Sequence, residues 1–318
     1  VAVYNFSKSS LKTGVTRKTI WDQISIYFIP AGYVVAGYQD DRTNTIFKIN
    51  FNTDTTTTLS ATASNSIIRN AGFASSVNGY SAGGDTSGDG ITTVDKLSFA
   101  ADTRSTLGTG MSTGRMGQGS FASSTNGYVA GGQSNQLVTS IEKMLFSTDS
   151  FSASAATISS ARNLVASFFS TSDGYCAGGE LGNGTVVTTV DKINYSGDSR
   201  TTLGTGLAAA RYLGVGFSSS TAGYFAGGWN STSSALQTDV YKFLFSDDSR
   251  TTLSTGLSSG LGYAPSGIDS STAGYIMGGY SGGVTVATVY KFTFSDDSRS
   301  TLSNMPDYKR NGAGFSNA

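Results

Sequence analysis

A Gly-Tyr phrase that occurs six times, at steps of 47, 48, 47, 49 and 51 residues, predicts an all-β propeller of four-stranded antiparallel blades. A second phrase with period-two alternation follows each copy, and turn-forming clusters separate the phrases. The second strand of each unit is read from GYVVAG at Gly32, GYSAGG at Gly79, GYVAGG at Gly127, GYCAGG at Gly174, GYFAGG at Gly223 and GYIMGG at Gly274. The third strand is read from IFKINF, VDKLSF, IEKMLF, VDKINY, VYKFLF and VYKFTF, with lysines at 48, 96, 143, 192, 242 and 291. In VYKFLF the alternation places Val240, Lys242 and Leu244 on one side and Tyr241, Phe243 and Phe245 on the other. The fourth strand centres on Leu59, Leu107, Ile158, Leu203, Leu253 and Leu302, often within DSRTTL. First strands such as GFASS, SFASS and GFSSS follow a connection that carries Arg69, Arg115, Arg162, Arg211 or Arg310.

A unit of this kind cannot cover both faces of its own sheet, so it stacks on its neighbours. Radial stacking is favoured over a solenoid because a closed ring also protects the blade edges. The glycine pair after each Tyr permits a bulge or a close backbone approach. The 318 residues form one propeller domain, 1–318, and the start at Val1 and the end in GFSNA suggest a piece of a longer or processed chain. Seven blades are favoured. Val3-Tyr4-Asn5-Phe6 and Leu11 look like a further third and fourth strand, and Phe315 looks like the start of a further first strand in an incomplete last blade. Six blades are the alternative.

Composition removes several functions. Lys plus Arg number 21 and Asp plus Glu number 21, so no charge excess attracts a phosphate backbone, and no nucleic-acid partner is expected. There are no histidines, which excludes imidazole metal sites and His-based nucleophile systems. The single cysteine, Cys176, cannot form an internal disulfide, and it stands where Val129 and Phe225 stand in sister units, a small apolar role. No apolar run reaches a membrane span and no signal-peptide pattern opens the chain, so membrane insertion is not expected. DTSGDG, with Asp85, Ser87, Asp89 and Gly90, starts like a calcium loop but has Lys96 at the twelfth position, and a hairpin turn is the simpler reading. No cofactor and no metal are expected.

The GYVAGG, GYCAGG and GYFAGG phrases followed by VDKINY or VYKFTF resemble kelch-type repeats over nearly the whole chain. The chain departs from the common eukaryotic kelch pattern in lacking the Trp later in each repeat. Kelch-like enzymes that oxidise galactose use copper held by histidine, which this chain cannot supply. The low-charge, Ser/Thr-rich variant with DDSRTTL is similar to repeats in structural and tail proteins of tailed phages and in some bacterial surface proteins. That resemblance implies a viral protein of the virion, such as a tail fibre, or an extracellular surface structure, with other virion or surface-structure proteins as partners.

The repeat-locked Asp95-Lys96, Glu142-Lys143 and Asp191-Lys192 are expected to pair with neighbouring strands or blades. In Asp247–Arg250 and Asp296–Arg299, Asp side chains are expected to accept turn amides. The connections into first strands and the turns after the glycine pairs open on one end of a propeller. Arg115, Arg162 and Arg211, with Arg69 and Arg310, are expected to circle that mouth. Trp229 and Tyr280, with Gln133, Asn135 and Asn230 in equivalent loops, supply aromatic planes and amides suited to sugar rings. Trp21 is expected in the core. The expected function is a noncatalytic appendage module, structural and host-recognising through carbohydrate binding. A polysaccharide-active enzyme and a protein-binding kelch scaffold are the alternatives, though no carboxylate pair stands out from the repeat to nominate as catalytic.

Overall fold

The computed structural model describes residues 29–264 and 266–318. They form six four-stranded antiparallel sheets, each ordered from an inner to an outer strand. Blade 2 is 71–74, 78–82, 94–98 and 103–106, and blades 3 to 6 repeat this order. Blade 1 is assembled from both parts of the described chain. Its second to fourth strands are Ala31–Tyr38, Arg42–Asn50 and Thr55–Thr62, and its inner strand is Ala313–Ser316. The register runs from Gly32 opposite Ser316 to Val35 opposite Ala313.

This is a propeller of six blades, which corrects the preference for seven. The C-terminal GFS copy does close the ring by strand exchange, but it completes the first GY blade rather than opening another. Val3-Tyr4-Asn5-Phe6, Leu11 and Trp21 lie outside the described residues.

The core lies in wedges between blades. Each inner-strand aromatic inserts over the Gly of the next blade's Gly-Tyr phrase: Phe73 over Gly127, Phe121 over Gly174, Phe168 over Gly223 and Phe217 over Gly274. A Cβ at Gly223 would lie 1.9 Å from the Phe168 ring, so only glycine fits. The Tyr beside it then stacks between two rings. Phe217 lies 4.9 Å from Tyr224, and Phe294 of the following blade lies 5.5 Å from Tyr224 on centroids.

The invariant-looking Lys and Asp of the repeat form a second inter-blade fastening. Asp102, in the third-to-fourth turn of blade 2, accepts from Lys48 Nζ (2.7 Å) and from the Tyr33 hydroxyl (2.9 Å) of blade 1. Lys96 and Tyr80 meet Asp149, Lys192 and Tyr175 meet Asp248, and Lys242 and Tyr224 meet Asp297. Lys291 and Tyr275 meet Asp54 and so close the circuit, while Lys143 reaches Asp198. All six aspartates take positive φ, a conformation Asp tolerates in turns. Burial, then the facing Asp, raises Tyr80, Tyr224 and Tyr275 well above the usual phenol range, so they stay neutral donors. In DDSR turns, therefore, the first Asp serves the turn amide, as Asp247 does for Ser249 N–H, and the second serves the neighbouring blade.

Around the axis the inner strands approach backbone to backbone. A Cβ on Gly216 would meet the Ser167 carbonyl at 2.0 Å, and one on Gly267 the Gly216 carbonyl at 2.0 Å. The one carboxyl on this axis-facing side of the inner strands is Asp269, among the described residues. Ile268 beside it points into the core, so Asp269 faces the same way as Gly267. Burial pushes its carboxyl up to about 7, against one favourable contact from the Ser218 backbone. A carboxyl raised in this way favours the folded state fully below its ordinary value near 3.8 and loses that advantage as pH climbs through 7. Asp269→Asn is therefore expected to melt with the wild type at pH 4 and above it at pH 8. Partial solvent access limits the gain to on the order of 1–2 kcal/mol, read as melting temperature against pH for both proteins.

Candidate functional site: the mouth of the propeller

One end of the ring carries the second-to-third turns and the connections between blades. A closed circuit of backbone hydrogen bonds crosses it from blade to blade. Arg69 N–H donates to Asn311 O (2.8 Å), Gly117 to Arg69 (2.9 Å), Leu164 to Gly117 (2.7 Å), Leu213 to Leu164 (3.1 Å), Ala264 to Leu213 (3.0 Å) and Asn311 to Ala264 (3.0 Å). All six donors have positive φ, from 46° at Ala264 to 64° at Gly117. Non-glycine residues are held there at a cost of order 1 kcal/mol each, which the circuit offsets.

This circuit separates the arginines. Arg115 and Arg162 lie two residues before a circuit residue, as does Arg211, and all three are buried. Arg115 Nη2 donates to Glu142 (2.6 Å), Arg162 Nη2 pairs with Asp191 (2.9 Å), and Arg211 Nη2 donates to Asp239 (2.6 Å) and to the Tyr241 hydroxyl (2.9 Å). Each also donates to the first carbonyl of its blade's glycine pair: Gly131, Gly178 or Gly227. They brace the blade interior and do not line an open mouth. Ile67, Leu261 and Lys309 fill the equivalent slots of the other blades. Lys309 Nζ lies 4.1 Å over the Phe47 ring and donates to Thr45 O (2.8 Å), and burial pulls its amine down to about 7.

The residues at the rim itself come in bridged pairs, one after each glycine pair and one before each inner strand. They are Tyr38 with Arg310, Ile68 with Asp85, Met116 with Gln133, Asn163 with Glu180, Tyr212 with Trp229 and Gly262 with Tyr280. The circle is chemically divided. On blades 2 to 4 the bridged positions hold Ile68, Asp85, Met116 and Asn163, all buried, with Gln133 and Glu180 partly exposed. Blades 5, 6 and 1 present Tyr212, Trp229, Tyr263, Tyr280 and Tyr38, all partly exposed. On blades 5 and 6 this aromatic side is raised by extra two-residue hairpins, Trp229–Asn230 with Ala235–Leu236 and Tyr280–Ser281 with Val284–Thr285.

Of the residues singled out from sequence, Trp229 and Tyr280 therefore stand on adjacent blades of one aromatic crescent. Gln133 sits on the polar side, where its Oε1 accepts from Asn163 Nδ2 (3.1 Å). Asn135 is exposed at the tip of its turn. Asn230 is committed to its own hairpin, its Oδ1 accepting from Thr232 N–H (2.8 Å) and Ser233 N–H (3.2 Å). Asp85 is buried against Arg42 (3.1 Å) and accepts the Gly88 N–H, so DTSGDG is a braced hairpin. Tyr38, Tyr212 and Tyr263 were not nominated from sequence, although Tyr38 occupies the same post-glycine position as Trp229 and Tyr280.

At the opposite end, an open pocket of about 310 Å³ is lined by Asp173, Lys192, Asn194, Thr201 and Asp248. Its two carboxylates are engaged: Asp248 with Lys192 and Tyr175, and Asp173 with Asn194 Nδ2 (3.0 Å) and the Ser172 hydroxyl (2.6 Å). Among the described residues no His, Cys, Asp and Glu cluster is arranged to hold a metal, and no helix is long and apolar enough to cross a membrane. Cys176 is buried, and burial pushes its thiol up to about 12, which fits packing rather than reactivity. No protein-family model matches the chain, and no curated protein matches it.

Proposed function

We propose that this propeller is a noncatalytic module of a virion or extracellular appendage, a rigid spacer that also binds a host-surface glycan across the aromatic side of its mouth. The observation that carries the reading is the crescent of Tyr212, Trp229, Tyr263, Tyr280 and Tyr38 on three adjacent blades, with the partly exposed Gln133 and Glu180 on blades 3 and 4 of the same mouth. Aromatic planes stack on the apolar faces of pyranose rings while neighbouring polar groups take the hydroxyls. The surroundings are low in charge and rich in Ser and Thr, and the resemblance to kelch-type and phage tail repeats supports the appendage setting.

The test is glycan-array binding by the wild type beside the Trp229→Ala, Tyr280→Ala double variant. Neither ring is fully buried, so the variant is expected to melt close to the wild type while its glycan affinity falls tenfold or more, about 1.4 kcal/mol. Unchanged binding by a folded double variant places recognition elsewhere. No binding by either protein leaves the spacer role alone.

A further inference from the structure

Among the described residues, most arginines have an evident counterpart. Arg42 pairs with Asp85, Arg104 with Asp95, Arg200 with Asp191, and Arg115, Arg162 and Arg211 with the acids named above. Arg250 donates to Gly206 O (2.6 Å). Arg310 differs. Its guanidinium carbon lies 4.6 Å from the Tyr38 ring centroid, 4.9 Å from Tyr280 and 5.1 Å from Tyr263. Among the described residues its buried Nε–H has no acceptor, and no carboxylate lies within ion-pair distance of its guanidinium. Asp307, three residues before Arg310, and Asp40, two residues after Tyr38, are turned elsewhere: Asp307 accepts from Gln39 Nε2 (2.8 Å) and Asp40 from the Tyr308 hydroxyl (2.6 Å).

Three tyrosine rings thus fix a cation in the aromatic crescent without neutralising it. A guanidinium held beside aromatic rings keeps an N–H fork for another partner. That fork matches an oxyanion bidentately, and in a partly enclosed site the pair gains more than it would in water. The same rings that hold the cation also offer planes to a sugar.

We infer that Arg310 is an anion anchor and that the glycan taken at the mouth is acidic, carrying a carboxylate or sulfate beside a pyranose ring. This deepens the glycan reading above and rests on it. The guanidinium binds the oxyanion through its Nη groups, and Tyr280, with Trp229 on the next blade, packs the ring that bears it.

The experiment is an array of matched pairs, in which each uronate, sialate or sulfated glycan stands beside its methyl-ester or desulfated partner. It is probed with wild type, Arg310→Gln, Arg310→Lys and the Trp229→Ala, Tyr280→Ala variant. Wild type is expected to prefer acidic members by about tenfold or more, and Arg310→Gln to lose that preference while keeping its weaker binding to neutral partners. Arg310→Lys is expected to retain part of it, since a point charge lacks the fork. The ester and desulfated arms distinguish carboxylate from sulfate. A salt titration of the wild type is independent of variant folding, and the acid preference should shrink as ionic strength rises. Equal binding of both members of each pair, or a preference unmoved in folded Arg310→Gln, overturns the anion anchor and leaves the glycan site standing. Binding to no member overturns both.

Discussion

Removing residues 313–318 is expected to abolish cooperative folding. The deleted segment is the inner strand of blade 1, and its four register pairs with residues 32–35 are the covalently unlinked seam of the ring. Asn317 adds two more fastenings, its N–H to Ala31 O (3.0 Å) and its Oδ1 accepting from Ala31 N–H (2.6 Å). Phe315 is buried over Gly79 and 5.8 Å from the Tyr33 ring. Phe315→Ala alone should cost about 3–5 kcal/mol, as for other buried aromatics. Loss of the whole strand adds unpaired backbone on a central strand, and the sum approaches the roughly 5–15 kcal/mol that stabilises a typical domain. Near-UV circular dichroism and thermal melts of the truncated chain check this, with a peptide of residues 310–318 supplied in trans expected to restore part of the signal. A truncated chain that melts cooperatively at the wild-type temperature would show that the seam is not what closes the ring.

The same seam explains where sequence reading stopped. Strand type, blade composition and the need for glycine are local, so period-two alternation and the GY phrase revealed them. Blade count is not local: whether a half-unit near one end completes a half-unit near the other depends on the pairing of Gly32 with Ser316. The arginines are not equivalent either: Arg115, Arg162 and Arg211 stand six residues before their inner-strand Phe and are buried, whereas Arg69 stands four before Phe73 and Arg310 five before Phe315. A shift of one or two residues in a tight connection turns a side chain from the blade interior to the rim. Trp229 and Tyr280 were legible as aromatics in polar turns. The cage around Arg310 was not, because Tyr38, Tyr263 and Tyr280 converge only once blades 6 and 1 meet.

Arg162→Met should be strongly damaging. The slot itself accepts an apolar side chain, since Ile67 and Leu261 fill it in other blades, so the loss comes from what the substitution strands. Asp191 is fully buried, with side-chain exposure of 0%, and Arg162 lies 2.9 Å from it. Burial alone would raise its carboxyl, but hydrogen bonds from Thr202 and Ser159 and the Arg162 charge hold it below the usual carboxylate range. Removing Arg162 leaves a buried carboxylate with only the partly exposed Arg200, 3.5 Å away, as a countercharge, at a cost of about 3–5 kcal/mol. Arg211→Met makes the same cut in a different setting: its partner Asp239 keeps 41% side-chain exposure and turns to water, so a loss nearer 1–2 kcal/mol is expected. The two variants separate the cost of a stranded charge from that of a lost side chain, and urea melts at neutral pH measure the difference. Acid sharpens the comparison. A carboxylate held below its ordinary value contributes stability above that value and loses it as pH falls, so the Arg162→Met penalty should narrow once Asp191 takes up a proton, and Asp191→Asn added to Arg162→Met should recover part of it at pH 7. Equal losses in Arg162→Met and Arg211→Met would mean that the arginines stabilise their blades through the glycine-pair carbonyls they share, and that the acids are incidental.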